Sequence, residues 1–296
     1  MHRFIFLAFT TAVCINACSP YFKNDRYDNS PTSGELVVYC EPGLYELTYY
    51  MAYTFMAQYP AAHVTVIASS AENALQALKT NACELIFINR KLSPHEMHSF
   101  AKQQEIPKLS SIAHNAVACV VSKQYPDTSI SLQKLQSILQ PLGISKQTLI
   151  RVNTDQTVLN SLCTTLFKTQ IPKSLKGVSK TDFKTLYEAL ITDPNAIGII
   201  DFAQCADRDD TLMRALKTQL KILALEGVYP SATSLKTNTY PLPLQVYTVR
   251  TTGDFTLAKG FEAFTAGPKG QWMVLKRGLL PARQQERNIQ VHLEPL

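Results

Sequence analysis

Residues 35–96 read ELVVYCEPGLYELTYYMAYTFMAQYPAAHVTVIASSAENALQALKTNACELIFINRKLSPHE, and their rhythm decides the fold class. Glu35 to Cys40 is a β-branched run suited to a buried strand, and Pro42-Gly43 breaks it. Leu44 to Gln58 then carries Leu47, Met51 and Phe55 four apart, the spacing of one helical face. The cycle repeats with His63 to Ala68 as strand, Ser69 to Lys79 as helix and Glu84 to Ile88 as strand, before Ser93-Pro94-His95-Glu96 opens another helix. Ser69 to Glu72 and Ser93 to Glu96 both have capping-box spacing, in which the serine accepts from an orphan amide and the glutamate reaches back.

Toward the C-terminus the alternation continues. Strands are expected at Ala116 to Ser122, Thr148 to Val152, Ala196 to Ile200, Lys221 to Leu225 and Leu244 to Val249. Helices are expected at Ser131 to Leu139, from Asn153-Thr154-Asp155-Gln156 to about Phe167, at Asp182 to Ile191, from about Phe255 to Phe264, and from Gly270 to Lys276. Interleaved helices and short apolar strands mean α/β with mostly parallel sheets. In such sheets ligands sit beyond the carboxyl ends of the strands, where loops deliver helix N-termini. With 296 residues the chain has length for one to two domains. Its 46% hydrophobic content is too high for a solvated tail. The +6 net charge comes from scattered basic residues with no run, so no nucleic-acid partner is expected. No P-loop, GxGxxG or HExxH pattern occurs, so no cofactor is expected either.

Toward the N-terminus, His2 and Arg3 precede the apolar stretch Phe4 to Ile15, the length of a signal-peptide core and too short to span a bilayer. Ile15-Asn16-Ala17-Cys18-Ser19 resembles the lipobox of bacterial lipoproteins, which implies lipidation of Cys18; plain cleavage after Ala17 is the alternative. Acyl chains at about 0.8 kcal/mol per buried methylene would then hold the protein on a membrane. Ser19 to Ser33 is polar and without period, a tether. Cys40, Cys83, Cys119, Cys163 and Cys205 lack any CxxC pair, which argues against metal; one disulfide stays open, because an exported chain would permit it.

The order of motifs resembles the phosphate-type substrate-binding proteins of ABC transporters, with the type II periplasmic-binding-protein fold. LVVYCEPGLYELTYYMAYTFMAQYP (36–60) is similar to that family's opening strand, ligand loop and helix, and VTVIASSAENALQALKTNACELIFINRKLSPHE (64–96) to its second loop, helix and following strand. VVSKQYP (120–126) followed by SLQKLQSIL (131–139) resembles the crossing into the second lobe. Arg151 to Thr157 takes the place of an R-x-x-x-S-G-T anion loop, and NAIGIIDFA (195–203) is like a G-x-I-G-Y strand. EGVYPSATSLKTNTYPLPLQVYTV (226–249) and FEAFTAGPKGQWMVLKRGLLP (261–281) are similar to the return strand and closing helix. With the signal peptide over 1–17 and the tether over 18–33, the resemblance implies a discontinuous lobe one over 34–121 and 240–296, and lobe two over 122–239. It also implies two lobes of mostly parallel sheet flanked by helices, hinged near Cys119 to Lys123 and Leu225 to Pro241, closing on a ligand. The expected protein is a monomer on the periplasmic side of the cell envelope, lipid-anchored, not an enzyme, capturing phosphate or a related small oxyanion for an ABC permease.

Helix N-termini at Gly43, Ser69 to Ser70 and Asn153 to Thr154 each favour an anion by about 0.3–1 kcal/mol. The candidate ligand residues are Gly43, Leu44, Ser69, Ser70, Asn89, Arg90, Arg151, Asp155, Gln156 and Thr157, with Arg90 and Arg151 as forked donors. The alternative is that the serines only cap helices and the arginines are solvated. Departures from the family pattern matter: the first loop reads Cys40-Glu41-Pro42-Gly43, and the third Asp155-Gln156-Thr157 in place of Ser-Gly-Thr. A carboxylate about 4 Å from a unit negative charge costs roughly 4 kcal/mol at an effective dielectric of 20, enough to cancel two helix ends. Asp155 therefore either serves the dipole of its own helix or takes a proton from a monoprotonated ligand, and Glu41 and Glu72 share that ambiguity. Two other functions stay open: a lipoprotein of the same fold whose altered cleft binds another ligand or a protein, and a hydrolase using Cys40 or Ser70 as nucleophile.

Overall fold

The computed structural model describes residues 29–140, 146–152, 155–168, 174–207 and 218–283. Cys18 and its lipobox, Asn153, Thr154 and the tail from residue 284 lie outside them. The first half runs β1 (Gly34–Cys40), a 3-10 turn (Pro42–Leu44), α1 (Tyr45–Gln58), β2 (Ala62–Ala68), α2 (Ala71–Lys79), β3 (Leu85–Ile88), α3 (Pro94–Lys102) and the long β4 (Lys108–Ser122). The second half has β5 (Ser129–Ile130), α4 (Leu132–Leu139), β6 (Thr148–Val152), α5 (Gln156–Phe167), β7 (Val178–Lys180), α6 (Phe183–Thr192), β8 (Ala196–Asp201), α7 (Ala203–Ala206) and β9 (Leu220–Leu225). The chain then returns through α8 (Ala232–Lys236), β10 (Pro243–Arg250), α9 (Leu257–Ala266), α10 (Pro268–Lys276) and β11 (Leu280–Pro281).

The strands lie in the order β2-β1-β3-β10-β4-β8-β6-β7, with β9 and β11 also on β4 and β5 on β9. The parallel pairing expected from the alternating pattern holds at both flanks, β1 with β2 and β3, and β6 with β7 and β8. At the centre, β4 runs antiparallel to β10, β8 and β9. Its sequence spans far more than the apolar run from Ala116, because its early residues need only one buried face against β10. β4 changes partners midway: Ala116 pairs with Pro243 of β10, and the next residue, Val117, with Asp201 of β8.

Local chemistry explains the ends of the helices. The Ser93 hydroxyl accepts from the Glu96 amide and the Glu96 carboxylate from the Ser93 amide, a complete capping box. For α2 the cap is Ser70, which accepts from the Asn73 amide, rather than Ser69, whose own amide is drawn to the Cys40 carbonyl at 2.8 Å. The helical face predicted for α1 is buried: Phe55 packs edge-on to Phe261 and Phe264 of α9, with ring centroids 5.3 and 5.4 Å apart. Each such side chain contributes about 1.5–3 kcal/mol by leaving water. Below it, the buried Arg250 donates through Nε to Glu262 at 2.8 Å, and Ser110 and Lys259 donate to the same carboxylate. No helix among the described residues is long and apolar enough to cross a membrane.

Candidate functional site

The carboxyl end of β1 meets those of β3 and β8 close to where β4 changes partners, and the polar residues there converge. Glu41, directly after β1, is 1% exposed. Its Oε2 accepts from the Asn89 amide at 2.5 Å and its Oε1 from the hydroxyl of Thr157, in the first turn of α5. Asn89, just beyond β3, donates through Nδ2 to Asp201 at 2.6 Å. Asn115, inside β4, donates through Nδ2 both to Asn89 Oδ1 at 2.9 Å and to Asp201 Oδ1 at 2.6 Å, and its own Oδ1 accepts from the Ala116 amide. The Ala203 amide completes the shell of Asp201. Gly43 lies so close to the Asp201 carboxyl that a Cβ would collide with it, and Gln204 of α7 donates to the Pro42 and Gly43 carbonyls. The two halves are thus sewn together across their interface.

Asp155 is the third carboxylate of the group. It occupies the N-cap position of α5 but makes no capping hydrogen bond, and with 3% exposure both of its oxygens lack a hydrogen-bond partner among the described residues. The Val158 amide draws near enough to favour its charge slightly, outside hydrogen-bond geometry. Burial, then the charges of Asp201 and Glu41, push the Asp155 carboxyl well above the ordinary range. Burial also raises Asp201, against the opposing donors Asn115, Ala203 and Asn89. Glu41 is pushed up to about 7, chiefly by burial, with Thr157 and Asn89 holding it down and Asp201 pushing further up. Among the described residues no cation hydrogen-bonds to any of the three.

Of the sequence candidates, Asn89, Asp155 and Thr157 meet here, with Gly43 packed against Asp201; Leu44 is buried behind them, and Gln156 is half-buried at the start of α5. The two arginines go elsewhere. Arg90 forks onto Glu96 at 2.7 and 2.8 Å, pinning the start of α3, and reaches Glu41 only as a distant charge. Arg151 faces the opposite way along β6, into a recess under α5, where it weakly opposes the burial that raises the Cys163 thiol. Ser69 and Ser70 are occupied in the loop and cap already described. Asn115 and Asp201 were not singled out from sequence, although an Asn within SSIAHNAVACVV and an Asp ending AIGIID are polar interruptions of apolar runs, the available signal. Neither Cys40 nor Ser70 is activated as a nucleophile here: burial pushes the Cys40 thiol up to about 12, and the Ser70 hydroxyl caps α2 by accepting from the Asn73 amide. The five described cysteines are buried, and no disulfide forms among them. No three described side chains, the three carboxylates included, are disposed to hold a metal ion.

A family model for the PBP superfamily domain matches residues 27–269. The chain belongs to the PBP superfamily. Solved structures agree on the fold of this PBP-superfamily chain. A putative phosphate ABC transporter substrate-binding protein with bound phosphate from Clostridium perfringens superposes with a TM-score of 0.71 at 14% identity, covering 84% of this chain and 100% of its own. An ABC-type phosphate transport receptor from Vibrio cholerae gives 0.63 at 15%, covering 83% and 99%. The CcmR regulatory domain of Synechocystis in complex with 2-PG gives 0.52 at 12%, covering 75% and 89%. No curated protein sequence matches the chain. The family and the transport neighbours are binding proteins rather than enzymes, in line with the sequence reading.

Proposed function

We propose that the protein is a lipid-anchored binding protein of the cell envelope whose inter-lobe cleft takes a small solute bearing hydrogen-bond donors, in place of a fully ionised oxyanion. One observation carries this reading. The Glu41 carboxylate sits on the Asn89 amide and the Thr157 hydroxyl, donors that an anion in this cleft would need, so a dianion would have to displace a charge of its own sign. Asp155 supplies the complementary half of the argument, because its two buried acceptor oxygens call for donors. Lobe one (34–121 and 240–296) and lobe two (122–239) would part about β4, admit the solute among Glu41, Asp155 and Asp201, and close again. Cys18 would hold the clamp at the membrane, and the transport roles in the names of the two phosphate neighbours support a permease as the partner of the closed form.

A second reading has its own support. Glu41, with its carboxyl raised to about 7, is largely neutral in mildly acidic medium, and a protonated Glu41 would leave the cradle to monoprotonated phosphate. Calorimetric titration with phosphate at pH 5.5 and pH 8 separates the two. The first reading expects no saturable binding at either pH. Saturable binding of phosphate at pH 8 by the unmodified protein would overturn it, and binding confined to pH 5.5 would establish the second.

A further inference from the structure

The recess holding Arg151 lies in the second half of the molecule, away from the carboxylate cleft. Leu149 and Arg151 of β6 point into it from the same face of the strand, Ile199 joins them from β8, and Leu159 and Leu162 of α5 roof it. Lys176 stands at its exposed rim. It is a small recess, partly open to solvent at its mouth. Apart from the two cations, its walls are aliphatic. The Arg151 Nη1 atom is buried in the half-exposed side chain and has no hydrogen-bond acceptor. A guanidinium nitrogen buried without an acceptor is costly, and a neighbouring carboxylate would satisfy it with a charge-assisted bond.

We infer that this recess is a second ligand site, for a short aliphatic monocarboxylate whose carboxylate meets Arg151 and whose tail lies against the leucines. A phosphate dianion would find too few donors there, since the walls beyond Arg151 and Lys176 are hydrocarbon. An amino acid with the same tail carries an ammonium that both cations repel. The recess shares α5 with the carboxylate cluster but none of its residues, and the inference does not rest on the function proposed for that cluster.

The test is titration calorimetry of the full chain with isovalerate and butyrate, with leucine and phosphate as comparison ligands. One equivalent of isovalerate should bind saturably, leucine should not, and Arg151→Gln should weaken isovalerate at least tenfold. Glu41→Gln, in the cleft, should leave isovalerate affinity unchanged. Should Arg151→Gln fold poorly, Leu159→Phe narrows the recess and should weaken isovalerate more than acetate. Absence of saturable binding by either carboxylate, or isovalerate affinity unchanged in Arg151→Gln, overturns the inference. Loss of isovalerate binding in Glu41→Gln would also overturn it, by assigning the ligand to the cleft.

Discussion

Replacing Glu41 with Gln keeps the shape of the side chain and removes the charge most exposed to the burial problem of the cleft. The unfolded chain ionises Glu41 near its ordinary 4.5, the folded chain near about 7. A carboxyl whose folded value is raised stabilises the protein below its unfolded value and loses that contribution as pH climbs through the folded one. At 1.36 kcal/mol per pH unit, the interval from 4.5 to about 7 corresponds to roughly 3 kcal/mol of stability lost between about pH 4.5 and pH 7. The amide in Glu41→Gln can still accept from the Asn89 amide and donate to Thr157, so it removes the loss without opening a hole. Urea denaturation of both proteins at pH 5, 6, 7 and 8 gives the difference curve. His114 titrates in both and cancels, while Asp155, relieved of the Glu41 charge, is raised less in the variant. The variant should match the parent near pH 5 and exceed it by about 1–3 kcal/mol at pH 8, a gain of roughly 2–6 °C in melting temperature. A difference curve flat with pH, or one favouring the parent at pH 8, would refute the picture of a buried, reluctantly ionised Glu41.

Three further outcomes follow from particular contacts. Gly43→Ala should destabilise by about 1–3 kcal/mol in urea melts, because its Cβ meets the Asp201 carboxyl with no free space; a neutral result would mean that the interface gives way easily. Glu262→Gln should cost about 3 kcal/mol by leaving the buried Arg250 short of charge, and since Glu262 is held below its ordinary range, the parent should lose that margin on acidification rather than on alkalinisation; a cost under 1 kcal/mol speaks against it. Arg90→Ala should shift stability by less than about 1 kcal/mol and leave every ligand affinity measured in the cleft unaltered, since its guanidinium serves Glu96; a tenfold affinity change would return Arg90 to the site.

The sequence made the alternation and the gathering of Asn89, Asp155 and Thr157 legible, because strand ends in an α/β sheet point to a common edge, whereas the cap of α2 falls on Ser70 and not on Ser69. Ser93 and Glu96 could be read outright, since a capping box is local. Which way Arg151 points could not. A strand residue faces one side or the other according to register, and nothing around IRV distinguishes a cleft from a leucine-lined recess. The extent of β4 was hidden for a related reason: its first half is paired by residues 243–250, more than a hundred positions downstream. Asp201 and Asn115 were camouflaged inside apolar runs whose hydrophobicity dominated their reading.

That distant pairing also orders events in the life of the chain. β10 lies between β3 and β4, so the flank built by β1, β2 and β3 is without its central neighbour until residue 250 has emerged. Non-local closure of this kind slows folding. A polypeptide of this design leaves the ribosome with the β3 edge of its first flank unpaired until about five-sixths of it has been made.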